Sequence, residues 1–171
     1  MIHEATEILG RKTDLSYGQM EAVMEEIRTG KAQTAETVSF LTALNLQGET
    51  QDEIIAAVKV MRRHATCVQV KRDVILDTCG TGGDRKGTFN VSTAVAFVAS
   101  GCGVCVAKHG NRAVSSSCGS ADILEVLGIN INMNKEQIEL CLNEVGIGFL
   151  FAPNFHPAMK YAMPARKQIG R

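Results

Sequence analysis

Through the first third of the chain, apolar residues recur at intervals of three and four, and beyond Arg72 that period breaks. Ala5, Ile8 and Leu9 predict a short opening helix. Ser16 and Gln19 stand at capping-box spacing before Met20, Val23, Met24 and Ile27, so a second helix is expected to run to a stop at Gly30. From about Thr34, the residues Val38, Leu41 and Leu44 share one face of a third helix that Gly48 ends. Thr50 and Glu53 cap a fourth, with Ile54, Val58 and Met61 on its expected buried side. Residues 1–70 therefore read as a small helical bundle without strands. Its apolar faces either pack only on one another or also offer one face to a second copy, since so small a bundle buries little surface alone.

The run Val74-Ile75-Leu76, bounded by Asp77 and glycines, has the pattern of a strand buried in a parallel sheet. Ser92 to Ser100, with Val95, Phe97 and Val98, predicts a helix closing at Gly101, and Val104 to Ala107 a second strand, giving a right-handed β-loop-α-β unit. Ser120 opens a helix with Ile123, Leu124 and Leu127 buried, and Asn134 and Gln137 cap another that carries Ile138, Cys141, Leu142 and Val145. Gly148 to Phe151 is a third strand candidate, followed by a helical stretch from His156-Pro157 that Pro164 must kink or divide. The fold class is α/β: a small N-terminal helical bundle followed by a truncated parallel-sheet domain over residues 71–171. Three strands make half of a typical doubly wound sheet, so the chain reads as a fragment.

Composition narrows the partners. Eighteen basic residues balance eighteen acidic ones, so no basic field points to nucleic acid or to an anionic membrane surface. No apolar run approaches the roughly 20 residues that span a bilayer, and the expected location is the cytoplasm. Six cysteines, Cys67, Cys79, Cys102, Cys105, Cys118 and Cys141, read as free thiols of a reducing compartment. Cys102 and Cys105 match C-x-x-C but sit where a helix runs into a strand, and are expected to pack in the core.

The chemistry concentrates in two loops. Gly80, Gly82 and Gly83 let backbone N–H groups converge on an anion. Asn90, Ser92 and Thr93 add donors at a helix start, although Ser92 alone could be an N-cap. The third glycine of a dinucleotide fingerprint is replaced by Arg85, and the lysine of a P-loop by Thr88, so neither motif is present. Lys108 opens the second loop as a compact cation for phosphate. His109 lacks neighbours at metal-ligand spacing and reads as a hydrogen-bonding histidine. Asn111 can orient a substrate, and Arg112 is either a carboxylate or phosphate ligand or a solvated charge.

On these residues the chain resembles the anthranilate phosphoribosyltransferase family of tryptophan biosynthesis. Gly80-Thr81-Gly82-Gly83-Asp84, Asn90-Val91-Ser92-Thr93, Lys108-His109-Gly110-Asn111-Arg112 and His156-Pro157-Ala158-Met159 to Arg166 fit its pattern in order. The resemblance implies transfer of a phosphoribosyl group from phosphoribosyl pyrophosphate to the amine of anthranilate, in a magnesium-dependent homodimer joined through the helical domain. It implies that Gly80, Gly83, Asp84, Asn90, Val91, Ser92 and Thr93 hold the diphosphate, and that Ser92 also meets the metal. Thr88, Lys108, His109, Gly110, Asn111, Arg112, Ala113, Val114, Ser115, Ser116 and Ser120 would complete the donor site, and Gly80, Asn111 and Arg166 would contact anthranilate. No side-chain nucleophile is implied: stabilisation of the leaving pyrophosphate and positioning of the amine would carry the reaction. Ser117 stands where the family often has a basic residue, and the family's acidic metal-binding pair belongs to its second half. The alternatives are a transferase like the pyrimidine nucleoside phosphorylases, with other residues in place of Lys108 to Asn111, and a non-catalytic fragment that dimerises through its helices.

Overall fold

The computed structural model describes residues 1–80, 89–113 and 118–170. They form two compact units, one of Met1–Ala65 with His156–Arg171 and the other of Thr66–Phe155.

In the helical unit, α1 (Ile2–Gly10), α2 (Tyr17–Arg28), α3 (Thr34–Gln47) and α4 (Gln51–Arg63) follow the expected order. Both expected capping boxes form: the Gln19 amide donates to Ser16 Oγ, and the Glu53 amide to Thr50 Oγ1, each at 3.3 Å. Gly30 and Gly48 end their helices at φ of 71° and 87°, a region that side chains disfavour. Ile2, Ala5, Leu9, Leu15, Met20, Val23, Ile27, Phe40, Leu44 and Ala56 make one core.

The buried stripe of α4 differs from the expected one. Ile54 and Val58 are 51% and 47% exposed, whereas Glu53, Ala56 and Val60 are buried. The helix is turned so that the Glu53 carboxylate satisfies the Leu15 amide at 2.8 Å and the Thr50 amide at 2.7 Å, a polar demand that apolar periodicity does not register.

By its packing, His156–Arg171 groups with the helical unit. A 3-10 turn at Pro157–Tyr161 packs on α2, and α9 (Met163–Gln168) packs on α3. The Tyr161 ring lies so close over Gly30 that a Cβ there would meet it at 2.7 Å. Pro164 divides the stretch, as expected, by standing in the first turn of α9, where its missing N–H is not needed.

The second unit is built on a two-stranded parallel sheet, β1 (Val106–Gly110) and β2 (Ile147–Phe151), with Lys108 paired to Phe149. Between and around the strands run α5 (Val91–Gly101), α6 (Ser120–Val126), α7 (Lys135–Leu140) with a π-helical turn at Cys141–Val145, and α8 (Ala152–Phe155). Alternation along β2 separates two clusters. Phe149 and Phe151 pack with Ala121, Leu124 and Ile131, while Leu150 packs on the side of Cys105, Ile138, Leu142 and Phe155.

Several expectations change here. Val74 to Leu76 does not form a strand: only Leu76 bridges Val106, in the expected parallel sense, and Val74 is 72% exposed. The second strand begins at Val106 and extends through Gly110, so Lys108 and His109 lie on the sheet rather than in a loop. Helix α5 buries Thr93 and Ala96 and leaves Val95, Phe97 and Val98 exposed, because the face that meets the sheet carries the smaller residues. Leu127 and Val145 are likewise exposed, each at the very end of its helical stretch. Cys105 is buried as expected, but Cys102 is exposed, and all six cysteines are free.

Candidate active site

Lys108 is a buried charge of the second unit. It is 3% exposed, on the same face of the sheet as its register partner Phe149. Its ammonium donates to Ser92 Oγ at 3.2 Å, in the first turn of α5. Desolvation holds the Lys108 pKa below the ordinary lysine value, with the nearby Asp77 carboxylate acting in the opposite direction. No ion pair to Lys108 exists among the described residues.

The α5 start is organised by Asn90. Its Oδ1 accepts from the Thr93 amide at 3.2 Å, from Thr93 Oγ1 at 2.8 Å and from Ser92 Oγ at 3.2 Å. Thr78 Oγ1 donates to the Ser92 carbonyl at 2.9 Å, tying the segment before the glycine loop to the helix. Val91 is exposed at the same turn. These groups bring the positive end of α5 and the Lys108 ammonium to one place.

The second loop is held by an acid that the sequence reading passed over. Asp122 Oδ2 accepts from the amides of Ala113 at 2.9 Å and Gly119 at 2.8 Å, and these two bonds, with Arg112 adding less, lower its pKa. The signal was an aspartate at the N3 position of a predicted helix, where it closes a cap. Arg112 is engaged by Glu125, its guanidinium reaching the two carboxylate oxygens at 2.5 and 2.8 Å, and by Asp122 at 3.3 Å. The Glu125 bond is the main cause of a raised Arg112 pKa. Asn111 receives the Ala121 amide on its carbonyl at 3.2 Å and the Arg112 amide on its Oδ1 at 2.8 Å. Gly110 faces the Phe149 ring too closely for any Cβ, and Ser120 is buried at the start of α6.

Asp77, also outside the expected set, lies beyond the Leu76 bridge, and its Oδ1 accepts from the amides of Cys79 at 2.9 Å and His109 at 3.2 Å. Gly80 is exposed just beyond it. Gly83, Asp84, Thr88, Val114, Ser115 and Ser116 lie outside the described residues. Arg166 is in α9 of the helical unit, partly exposed.

The helical bundle and the parallel-sheet unit each match one part of a known family. Residues 72–171 match the family model for the glycosyl transferase family a/b domain, and residues 3–65 match that for its helical bundle domain. The chain belongs to this family. Among curated relatives, the anthranilate phosphoribosyltransferase of Alkaliphilus metalliredigens is 53% identical over 170 residues, covering 99% of this chain and 50% of the relative. That of Syntrophobacter fumaroxidans is 54% identical with the same coverage. Among solved structures, the Thermus thermophilus anthranilate phosphoribosyltransferase superposes with a TM-score of 0.87 at 42% identity, over 98% of this chain and 51% of its own. The Saccharomyces cerevisiae enzyme, in complex with PRPP and Mg, gives a TM-score of 0.88 at 31% identity, over 99% and 51%. The chain thus spans about half the length of the relatives it matches.

Proposed function

We propose that this chain binds phosphoribosyl pyrophosphate and supplies the donor site of an anthranilate phosphoribosyltransferase. The observation that carries the reading is Lys108, a buried ammonium aimed at the N-terminal turn of α5 with a serine hydroxyl as its hydrogen-bond partner. A charge that costs desolvation and, among the described residues, meets no carboxylate within bonding distance is suited to an anionic ligand. The diphosphate would lie over Asn90, Ser92 and Thr93, and the acceptor near Gly80 and Asn111, with Arg166 taking its carboxylate.

In the reaction the bond from the ribose carbon to pyrophosphate breaks, the bond from that carbon to the anthranilate nitrogen forms, and the amine releases a proton. Lys108 and the α5 amides would hold the charge that develops on the departing pyrophosphate. Ser92 offers magnesium one neutral oxygen that already receives Lys108, so it fits the ion only alongside phosphate oxygens. Bound in that way, the ion would neutralise diphosphate charge.

Exposed Ile54 and Val58 on α4 support a homodimer through the helical unit. No described helix is long and apolar enough to cross a membrane. Six free thiols and a biosynthetic reaction support a cytoplasmic setting. Calorimetric titration with phosphoribosyl pyrophosphate and excess magnesium tests the donor site. Saturable binding is expected, weakened about tenfold or more by Lys108→Ala, the scale of one charged hydrogen bond. Equal affinity in the two proteins, or none in either, overturns the reading.

A further inference from the structure

Asp77, Cys79 and His109 bring a carboxylate, a thiol and an imidazole together, with one ligand atom from each lying within 4.8 Å of the others. Backbone pairing holds the group in place. The Leu76 amide donates to the Cys105 carbonyl and the Ala107 amide to the Leu76 carbonyl, both at 2.9 Å, so Asp77 emerges beside β1 level with His109. Asp77 Oδ1 then receives the His109 and Cys79 amides, and Cys79 Sγ donates to Asp77 Oδ2 at 3.3 Å. Sequence spacing gave His109 no metal partners; the parallel bridge supplies two, Asp77 and Cys79, from far upstream in the chain. The donor-site reading has no use for a thiol here.

We propose that Asp77, Cys79 and His109 form a binding site for zinc, with water as the fourth ligand. Thiolate, imidazole and carboxylate are the donors zinc accepts, whereas magnesium and calcium take oxygen. Zinc bonds of about 2.0–2.3 Å in a tetrahedron put ligand atoms roughly 3.3–3.8 Å apart. The three side chains must therefore close by about 1.5 Å at most, and Asp77 and Cys79 are exposed and able to turn. On binding, the Cys79 S–H bond breaks, its proton passes to solvent, and a sulfur–zinc bond forms. The hydrogen bond to Asp77 gives way to a shared metal. Lys108 is the opposing charge, close enough to act on both Cys79 and Asp77. A ligand set carrying two negative charges once the thiol ionises outweighs it, and one with neutral donors alone would not.

The test reads the metal itself and is independent of the donor-site reading. The purified, reduced protein is titrated with cobalt as a spectroscopic stand-in, then with zinc against a chromophoric chelator. A tetrahedral cobalt spectrum with a thiolate charge-transfer band is expected, with one proton released as cobalt binds, and one equivalent of zinc should displace the cobalt without further proton release. Cys79→Ser should abolish that band, while Cys102→Ser and Cys118→Ser keep it. Asp77→Asn and His109→Asn should each weaken zinc by about tenfold or more, at least the loss seen when a supporting partner of a ligand is removed. Circular dichroism establishes that each variant is folded. A wild-type spectrum without the thiolate band, or a band that survives Cys79→Ser, overturns the site.

Discussion

The ammonium of Lys108 and the hydroxyl of Ser92 lie 3.2 Å apart, joining β1 to the first turn of α5. Desolvation lowers the Lys108 pKa in the folded chain, so the sign of its effect on stability is fixed. Below the folded value both states hold the proton and the burial cost is present in full. Between that value and the ordinary lysine pKa, about 10.4, the unfolded state binds more protons, and stability rises with pH. Lys108→Met should remove that rise and also weaken the donor about tenfold or more. Urea midpoints of the two proteins, compared across alkaline pH, check this, and parallel curves would show that the ammonium carries no desolvation cost.

Glu53 makes a second buried charge, with a structural role. Its carboxylate receives the Leu15 amide, the Thr50 amide and Thr50 Oγ1 within 2.9 Å. Glu53→Ala strands two backbone donors and should cost about 3 kcal/mol, with Glu53→Gln costing roughly half of that because its carbonyl oxygen still accepts. Urea unfolding measures both. A loss of under about 0.5 kcal/mol in the alanine variant, the level of an ordinary surface change, would mean that water replaces the carboxylate.

Local signals were legible where one short stretch decides the outcome. Ser16 with Gln19 and Thr50 with Glu53 announced caps that form, and Gly30, Gly48 and Gly146 stop their helices at positive φ. Asn90, Ser92, Thr93 and Lys108 could be read as one site because a helix start and a neighbouring strand meet in any β-loop-α-β unit. What could not be read depends on distant partners. Glu53 turned α4 away from its apolar stripe because Leu15 needed an acceptor. Val74 and Ile75 have strand-like composition without the ladder partners that make a strand, among the described residues. Asp77 and His109, 32 residues apart, meet beside the Leu76–Val106 bridge, which no local spacing records.

Arg112 is held by Glu125 in a bidentate pair, although its place in the second loop suits a phosphate. The pair is open to solvent, which screens its attraction, so opening it costs little. Glu125→Gln should then tighten donor binding by about two- to fivefold by releasing the guanidinium, and should have no such effect in an Arg112→Ala background. Donor titrations of the four proteins in this cycle give the coupling. An affinity that Glu125→Gln leaves unchanged would make Arg112 a purely structural residue.

Arg166 tests the acceptor half of the proposed reaction. It stands on α9, next to the fully buried Ala165 that anchors the helix, and its own side chain is partly exposed, so its removal should leave the unfolding midpoint nearly unchanged. A guanidinium grips a carboxylate through two parallel hydrogen bonds, and an ammonium cannot. Arg166→Ala should therefore weaken anthranilate binding about tenfold or more, and Arg166→Lys should restore only part of that loss. The change is followed through the ligand's own fluorescence, with phosphoribosyl pyrophosphate binding measured alongside as a control that should not move. Full recovery in the lysine variant would reduce Arg166 to a diffuse positive charge, and an unchanged alanine variant would take the carboxylate away from it.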